Sequence, residues 1–523
     1  MTSTPTRFSP AVIIGLISLP IFLGALDLTV VSAVLPHVIF DLEIPLQSGL
    51  DDAAWVVSGY LLAYTLAMTF MGSLSDRVGR QRVYLLALGI FALGSYLVAV
   101  ADGWPTRLAL QTAYRLLRLR PDPAYLSLWV LVLARMVQAF GGGAMVPVGM
   151  AIAGDLFPPA VRARPLGVIA AVDTAGWVVG HLYGGILTRF FDWRMIFWLN
   201  LPLCAAAFLV IYFALTGLPP LPALRGRMDW LGAALISLAL LALNLGLGAD
   251  ASPTGALELT GESALPRFAG GYLALAALFL FLFLWRQRRL SSPLVPLSLF
   301  RQRNFTSASL SNFLIGVSLF IAIANVPLFI NTLVAETLEQ GAWDSGWMLS
   351  ALTVPMALTS IPGGWLTSLR GYRLPALLGL ALATAGFFLM SSWKPETTYL
   401  TMIPHLALTG VGFGLTLAPI ATAVVDAAPG GQRGAASGLV IIFRLVGMTV
   451  GVSALATYGL QRANFLGEKL LQAGADLAAT AQAGMQIAAQ VINETFLIAA
   501  FVCVLAIAPA IILKPLAKER GKP

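Results

Sequence analysis

Four ionisable side chains stand inside long apolar runs of the chain: Asp27, Arg135, Asp173 and Arg444. At a bilayer centre each would cost about 2.5–3.5 kcal/mol even on mild scales, so each needs a partner or a wet cavity. The signs balance, two against two. A carboxylate in a low-dielectric cavity holds its proton more tightly, and a nearby arginine favours the anion. An arginine that approaches in only one conformation therefore couples protonation to shape. Asp27 and Arg135 lie at matching depths in their runs, as do Asp173 and Arg444 from the opposite face. Arg444 belongs to the second half of the chain and both acids to the first, so Asp27, Asp173 and Arg444 form a candidate proton-coupling group. For Arg135, static pairing that pins helices together is the competing reading. His181, in the run that holds Asp173, titrates near neutral pH and is a further coupling candidate beside an ordinary packing role.

The elements that must hold these groups are membrane helices. Of the 523 residues 58% are hydrophobic and 11% charged, with a mean hydropathy of +0.84, a balance that would aggregate a soluble chain. The apolar residues come in runs of about 20, enough to cross roughly 30 Å of hydrocarbon. Fourteen such runs are expected, from 11–36 to 493–513. The even number puts both termini on one side, and most of the 32 Lys and Arg fall in loops of that side, which predicts cytoplasmic termini. The first run is too long for a cleavable signal. Two segments of the opposite side stand out: 102–125, with the basic stretch QTAYRLLRLR, and 460–492, rich in Ala, Gln and Leu without proline. The second is expected either to extend its neighbouring spans as helix or to lie on the surface.

The loop after the second run reads Gly72-Ser-Leu-Ser-Asp76-Arg77-Val-Gly79-Arg80-Gln-Arg82, and a partial echo follows the tenth run as Gly364-Trp-Leu-Thr-Ser-Leu-Arg-Gly371-Tyr-Arg373. Glycines seven apart with bases close behind, at matching places in two halves, indicate an internal repeat. Glycine permits a tight turn and close helix approach, and Asp76 can cap a helix or pair with a base. Gly72, Asp76, Arg77, Gly79 and Arg80 are therefore expected to latch one conformation and release in the other. In the fifth run, Gly176, Gly180 and Gly184 lie along one helix face, with Gly185 beside them, and permit close backbone packing.

These motifs carry a resemblance. The Gly72–Arg82 loop resembles the signature loop of the major facilitator superfamily. Arg135-Met-Val-Gln138 with Gly141 is similar to its Arg-x-x-Gln-Gly motif, with Ala139 where glycine is usual. Leu26-Asp27-Leu-Thr29 with Leu35-Pro36 resembles the span-one motif of fourteen-helix drug:proton antiporters. His181 stands where that family usually has proline. The stretches Leu182-Tyr183-Gly184, Asp192-Trp193-Arg194 through Asn200-Leu-Pro202, and Arg444-Leu-Val-Gly447-Met448 are similar to the branch of mycobacterial exporters of triacylglycerides and drugs that work with a periplasmic lipoprotein.

The resemblance implies an all-α membrane protein of the major facilitator fold. Its N-terminal six-helix bundle would cover 1–216, a linker with two extra helices 217–304, and a C-terminal bundle 305–523. It implies a proton-coupled exporter in the cytoplasmic membrane, with a lipid or other lipophilic substrate and a lipoprotein as candidate partner. Relatives place an acid in span one and an arginine in span thirteen at the positions of Asp27 and Arg444; their span-five acid aligns with Thr174, one residue from Asp173.

Other classes fit less well. Three scattered histidines (His37, His181, His405) and isolated Cys204 and Cys503 provide neither a catalytic cluster nor metal-ligand spacing, so neither an enzyme nor a metal or cofactor site is expected; the drive would be the proton motive force. A net charge of +8 invites nucleic acid, but the bases sit in short loops between spans. Spans one, four and thirteen offer Ala, Leu, Val, Met and Phe with few polar groups, a lining for greasy substrates rather than sugars or nucleotides. Multidrug or cation efflux without a lipid role, and proton-coupled import, are the remaining alternatives.

Overall fold

The computed structural model describes residues 8–44, 46–115, 118, 120–216, 228–247, 268–472 and 477–514. Its regular elements are helical: α1 (Pro10–Asp41), α2 (Leu46–Val78), α3 (Arg80–Ala99), α4 (Trp104–Arg115), α5 (Pro123–Leu156), α6 (Ala163–Phe190), α7 (Arg194–Leu215), α8 (Trp230–Leu247), α9 (Ala269–Arg289), α10 (Arg303–Phe329), α11 (Leu338–Arg370), α12 (Arg373–Met390), α13 (Tyr399–Ala427), α14 (Arg433–Gln472) and α15 (Leu477–Ile512). Helix is the expected outcome of runs this apolar, because a backbone in hydrocarbon must satisfy its own hydrogen bonds. Local signals set the ends. Ser9 and Asp122 cap α1 and α5 ahead of Pro10 and Pro123, and Gly79 breaks α2 from α3 at φ +110°, a conformation that side chains resist.

Twelve of the described helices are both long and apolar enough to cross a membrane. α6 and α11, at 28 and 33 residues, have the length but are not among the twelve. Twelve helices thus meet this measure against the fourteen spans expected; α6 and α11 pack together along the bundle boundary. α4, on the basic outer segment, is a short helix after the tight turn at 101–103 and not a span.

Helices α1 to α7 pack among themselves and α10 to α15 among themselves, while α8 and α9 pair chiefly with one another. The two groups meet where α2 crosses α14 and α6 crosses α11. Glycine permits these crossings. A Cβ on Gly72 would lie 2.4 Å from the Gly434 carbonyl oxygen, one on Gly438 2.3 Å from that of Met68, and one on Gly364 2.4 Å from that of Ala163. The described parts of the outer segment, 460–472 and 477–492, continue α14 and α15, which are joined at their root by the Arg462–Glu494 ion pair of 2.8 Å.

Candidate functional site

The charges of the interior form two pairs at different places in the architecture. Asp27 on α1 and Arg135 on α5 meet inside the first bundle at 2.5 Å, both fully buried. Arg135 also donates to the Asp27 carbonyl (3.0 Å) and to Gln138 Oε1 (2.6 Å), and its guanidinium lies 4.1 Å over the Tyr60 ring. Gln138 donates onward to Ser95 Oγ (2.8 Å), and Asn200 Nδ2 of α7 reaches both Asp27 (3.5 Å) and Ser95 (3.4 Å). Helices α1, α3, α5 and α7, with Tyr60 of α2, thus converge on one polar cluster, in which Arg135 Nε is left without an acceptor. The matching depths of Asp27 and Arg135 point to this pair. Asn200, Ser95 and Tyr60 were not legible, because each is an ordinary polar residue in an apolar run.

The second pair crosses the bundle boundary. Arg444 on α14 meets Asp173 on α6 at 3.6 Å, and each side chain keeps about a tenth of its surface accessible. One turn further along α6, the Trp177 ring lies 5.9 Å from the guanidinium. Arg444 Nε and Trp177 Nε1 are both buried without an acceptor. Thr174 instead bonds the Ala170 carbonyl of its own helix (2.9 Å), so the acid one residue off the relatives' position is the one that faces the arginine. Asp27 does not join this pair; the expected three-residue group is divided between the two clusters by Arg135.

Packing fixes these positions. A Cβ on Gly176 would lie 2.6 Å from that of Ala25, and one on Gly180 2.5 Å from the Leu26 carbonyl oxygen, so α6 lies directly on α1 as the glycine spacing predicts. Gly184 is buried on the same helix. His181 and Gly185 belong to α6, but their side-chain positions lie outside the described residues. Behind Arg444, a Cβ on Gly316 would meet its carbonyl at 2.1 Å, which presses α14 against α10.

The Gly72–Arg82 loop lies at the end where α1 begins and α15 ends. Asp76 accepts from the backbone N–H groups of Gly434 (3.0 Å) and Ala435 (2.9 Å), capping the first turn of α14 from the other bundle, where the helix dipole favours an anion. Arg80 pairs with Asp76 (2.6 Å) and Asp155 (3.0 Å). Arg77 bonds Ser292 Oγ (2.9 Å) and the carbonyls of Ser292 (3.3 Å) and Pro293 (2.9 Å), in the strap between α9 and α10.

Two reciprocal ion pairs join the bundles at the same end. Arg433, at the start of α14, binds Asp155 at the end of α5 (2.7 Å); Arg162, just before α6, binds Asp426 near the end of α13. Each comes from a repeated pattern, Asp155-x-x-Pro158-x-x-x-Arg162 and Asp426-x-x-Pro429-x-x-x-Arg433, and each arginine pairs with the aspartate of the other copy. Spacing carried that signal, although the two aspartates were not singled out from it. The second glycine loop behaves as a weaker copy: Gly371 also takes a positive φ (+78°), and Ser368, in the place of Asp76, accepts from Arg164 at 3.2 Å.

At the opposite end, Arg194 gathers Asp41 (2.6 Å), Asp102 (2.7 Å) and Asp192 (3.1 Å). This node ties α1, the turn after α3 and the entry to α7 within one bundle. The Arg194 hydrogen bond holds the Asp41 carboxyl below the usual carboxylate range.

Comparison with known proteins agrees with this architecture. Residues 17–452 and 308–523 match the family model described as Major Facilitator Superfamily. The chain is 31% identical over 472 residues to a triacylglyceride transporter of Mycobacteroides abscessus, covering 88% of this chain and 84% of that one. It is 30% identical over 519 residues to a probable triacylglyceride transporter of Mycobacterium leprae, covering 96% and 95%. Among solved structures, the human organic anion transporter MFSD10 superposes with a TM-score of 0.59 at 16% identity, covering 95% of this chain and all of that one. The proton:xylose symporter XylE does so at 0.55 and 14%, covering 95% of each. Two repeat-related bundles, a glycine-aspartate gate between them and this extent of sequence agreement establish that the chain is a transporter and belongs to the major facilitator superfamily.

Proposed function

We propose that this protein exports triacylglyceride-like lipids across the cytoplasmic membrane in exchange for protons, with both termini in the cytoplasm. The conformation described is then the one closed to the cytoplasm. The observation that carries the reading is the Asp173–Arg444 pair, an acid from one bundle held by an arginine from the other at 3.6 Å. When the bundles rock apart, this contact breaks and the carboxylate loses the cation that favours its charged form. A proton taken up in one state and released in the other ties transport to the proton gradient. The Asp27–Arg135 pair lies within one bundle and travels with it.

Substrate class follows from charge and from the relatives. Both interior acids are already neutralised by arginines, so the cavity offers a cationic drug no unpaired carboxylate from these pairs. The acceptor-less N–H groups of Arg444 and Trp177 suit the ester oxygens of a neutral lipid once the gate opens. Relatives at 30–31% identity carry the name triacylglyceride transporter. A periplasmic lipoprotein receiving the lipid is part of the same reading, with the outward extensions of α14 and α15 as the surface offered to it.

Proteoliposomes with an imposed pH gradient test it. Labelled triacylglyceride should move toward the side away from the termini at a rate set by the gradient, and a cationic dye should not. Dye flux without lipid flux would replace the reading with drug efflux, and lipid uptake toward the terminus side would replace it with import.

A further inference from the structure

The strap that joins α9 to α10 carries more charge than its packing uses. α9 ends in Trp285-Arg286-Gln287-Arg288-Arg289, a short 3-10 turn spans Leu297–Arg301, and α10 opens at Arg303. No acidic residue occurs between Arg286 and Glu336. Arg286 is engaged by Asp229 at 2.8 Å. Arg288, Arg289, Arg301 and Arg303 are exposed, and none makes an ion pair among the described residues. α9 and α10 are both long and apolar enough to cross a membrane, and these four guanidinium groups stand at or beside the adjoining ends of the two helices. Trp285 and Phe300 are exposed at the same level, and the Arg289 guanidinium lies 4.1 Å over the Trp285 ring. Aromatic rings with arginines at a span end are the composition that seats in a headgroup layer.

The strap is also wired to the gate. Gln287 donates to Asp229 (2.7 Å) and accepts from the Val295 amide (3.1 Å), which ties both ends of the α8–α9 pair to the strap. From the strap, Ser292 and Pro293 hold Arg77, the neighbour of the capping Asp76. The positive-inside rule accounts for the sign of the strap. It does not account for a link of three hydrogen bonds to the element that closes the transporter.

We propose that Arg288, Arg289, Arg301 and Arg303, flanked by Trp285 and Phe300, form a docking surface for anionic phospholipid headgroups of the terminus-side leaflet, and that lipid bound there steadies the closed gate through Ser292, Pro293 and Arg77. Charge complementarity selects the occupant: four uncompensated cations at a bilayer surface attract anionic lipid, about fivefold in occupancy for each. The inference is independent of what the transporter carries.

The test uses the full chain in vesicles. Cys204 and Cys503 are buried, so a bimane label on Ser298→Cys, an exposed position of the strap, reports alone. Brominated phosphatidylglycerol in phosphatidylcholine vesicles should quench it several-fold beyond its mole fraction, and brominated phosphatidylcholine should not. Replacing phosphatidylcholine by phosphatidylglycerol should also slow amide exchange at Gly434 and Ala435. The fourfold variant R288Q/R289Q/R301Q/R303Q should lose both effects with its melting temperature retained. Quenching by both lipids in proportion to their amounts overturns the docking surface, as does no quenching by either, which would place the strap clear of the bilayer. Enriched quenching with unchanged exchange overturns the link to the gate.

Discussion

At the residue scale the two interior ion pairs differ in what surrounds them, and that sets different consequences for similar substitutions. Asp27 is enclosed with Arg135, Gln138, Ser95 and Asn200, so Asp27→Asn leaves a buried guanidinium uncompensated. Breaking a buried pair from one side costs about 3–5 kcal/mol. Asp173→Asn acts at a partly accessible contact that the proposed cycle opens. Asp173→Asn is expected to lose flux driven by a pH gradient with its melting temperature little changed, and Asp27→Asn to lower the melting temperature markedly. Unaltered gradient-driven flux in Asp173→Asn removes that acid from the coupling scheme. A separate expectation concerns Asp41, whose carboxyl is held low chiefly by the Arg194 hydrogen bond, outside the spans. A depressed carboxylate contributes stability above its unfolded value, near pH 4, and loses it as pH falls through the folded one. Melting temperature should therefore drop in acid below about pH 4, and Arg194→Gln should flatten that part of the profile.

At the scale of elements, the gate depends on backbone contact between α2 and α14. Gly72→Ala would place a methyl group 2.4 Å from the Gly434 carbonyl, nearer than any real contact, so the crossing must open. Amide exchange at Gly434 and Ala435, slowed while Asp76 accepts their hydrogen bonds, should accelerate in that variant; unchanged exchange would show that the helices can part without opening the cap. The glycine spacing, the capping aspartate and the helical nature of 460–472 and 477–492 were legible because each depends on local geometry. The division of the four charges was not. Depth along a run matched Asp27 with Arg135 and Asp173 with Arg444, but level residues need not belong to touching helices, so the grouping of Asp27 with Arg444 stayed open.

For the whole molecule, the outward reach of α14 and α15 is the largest departure from a plain bundle. At 40 residues α14 is about 60 Å long, roughly twice the hydrocarbon thickness. The root is held by Glu494, which accepts from Arg462 and from Tyr458 (2.7 Å). Glu494→Gln should make protease cleave between 460 and 492 faster while the spans resist as before; unchanged cleavage would mean that the extension is held by its apolar face alone.

By itself the sequence determined what one-dimensional physics can carry. Runs of apolar residues require helices that span a bilayer, basic loops bias their direction, and glycines and aspartates at fixed offsets require close crossings and caps. Its two halves also announced their kinship, since Gly72 and Gly79 answer Gly364 and Gly371 at the same places. Only the tertiary structure decided the partners. Arg135 claims Asp27 because α5 lies against α1 in the same bundle, which leaves Arg444 to Asp173 across the boundary. Arg162 and Arg433 each bind the other half's aspartate because the repeats face one another at the gate. Pairing depends on distance between helices far apart in the chain, and no local pattern encodes that distance.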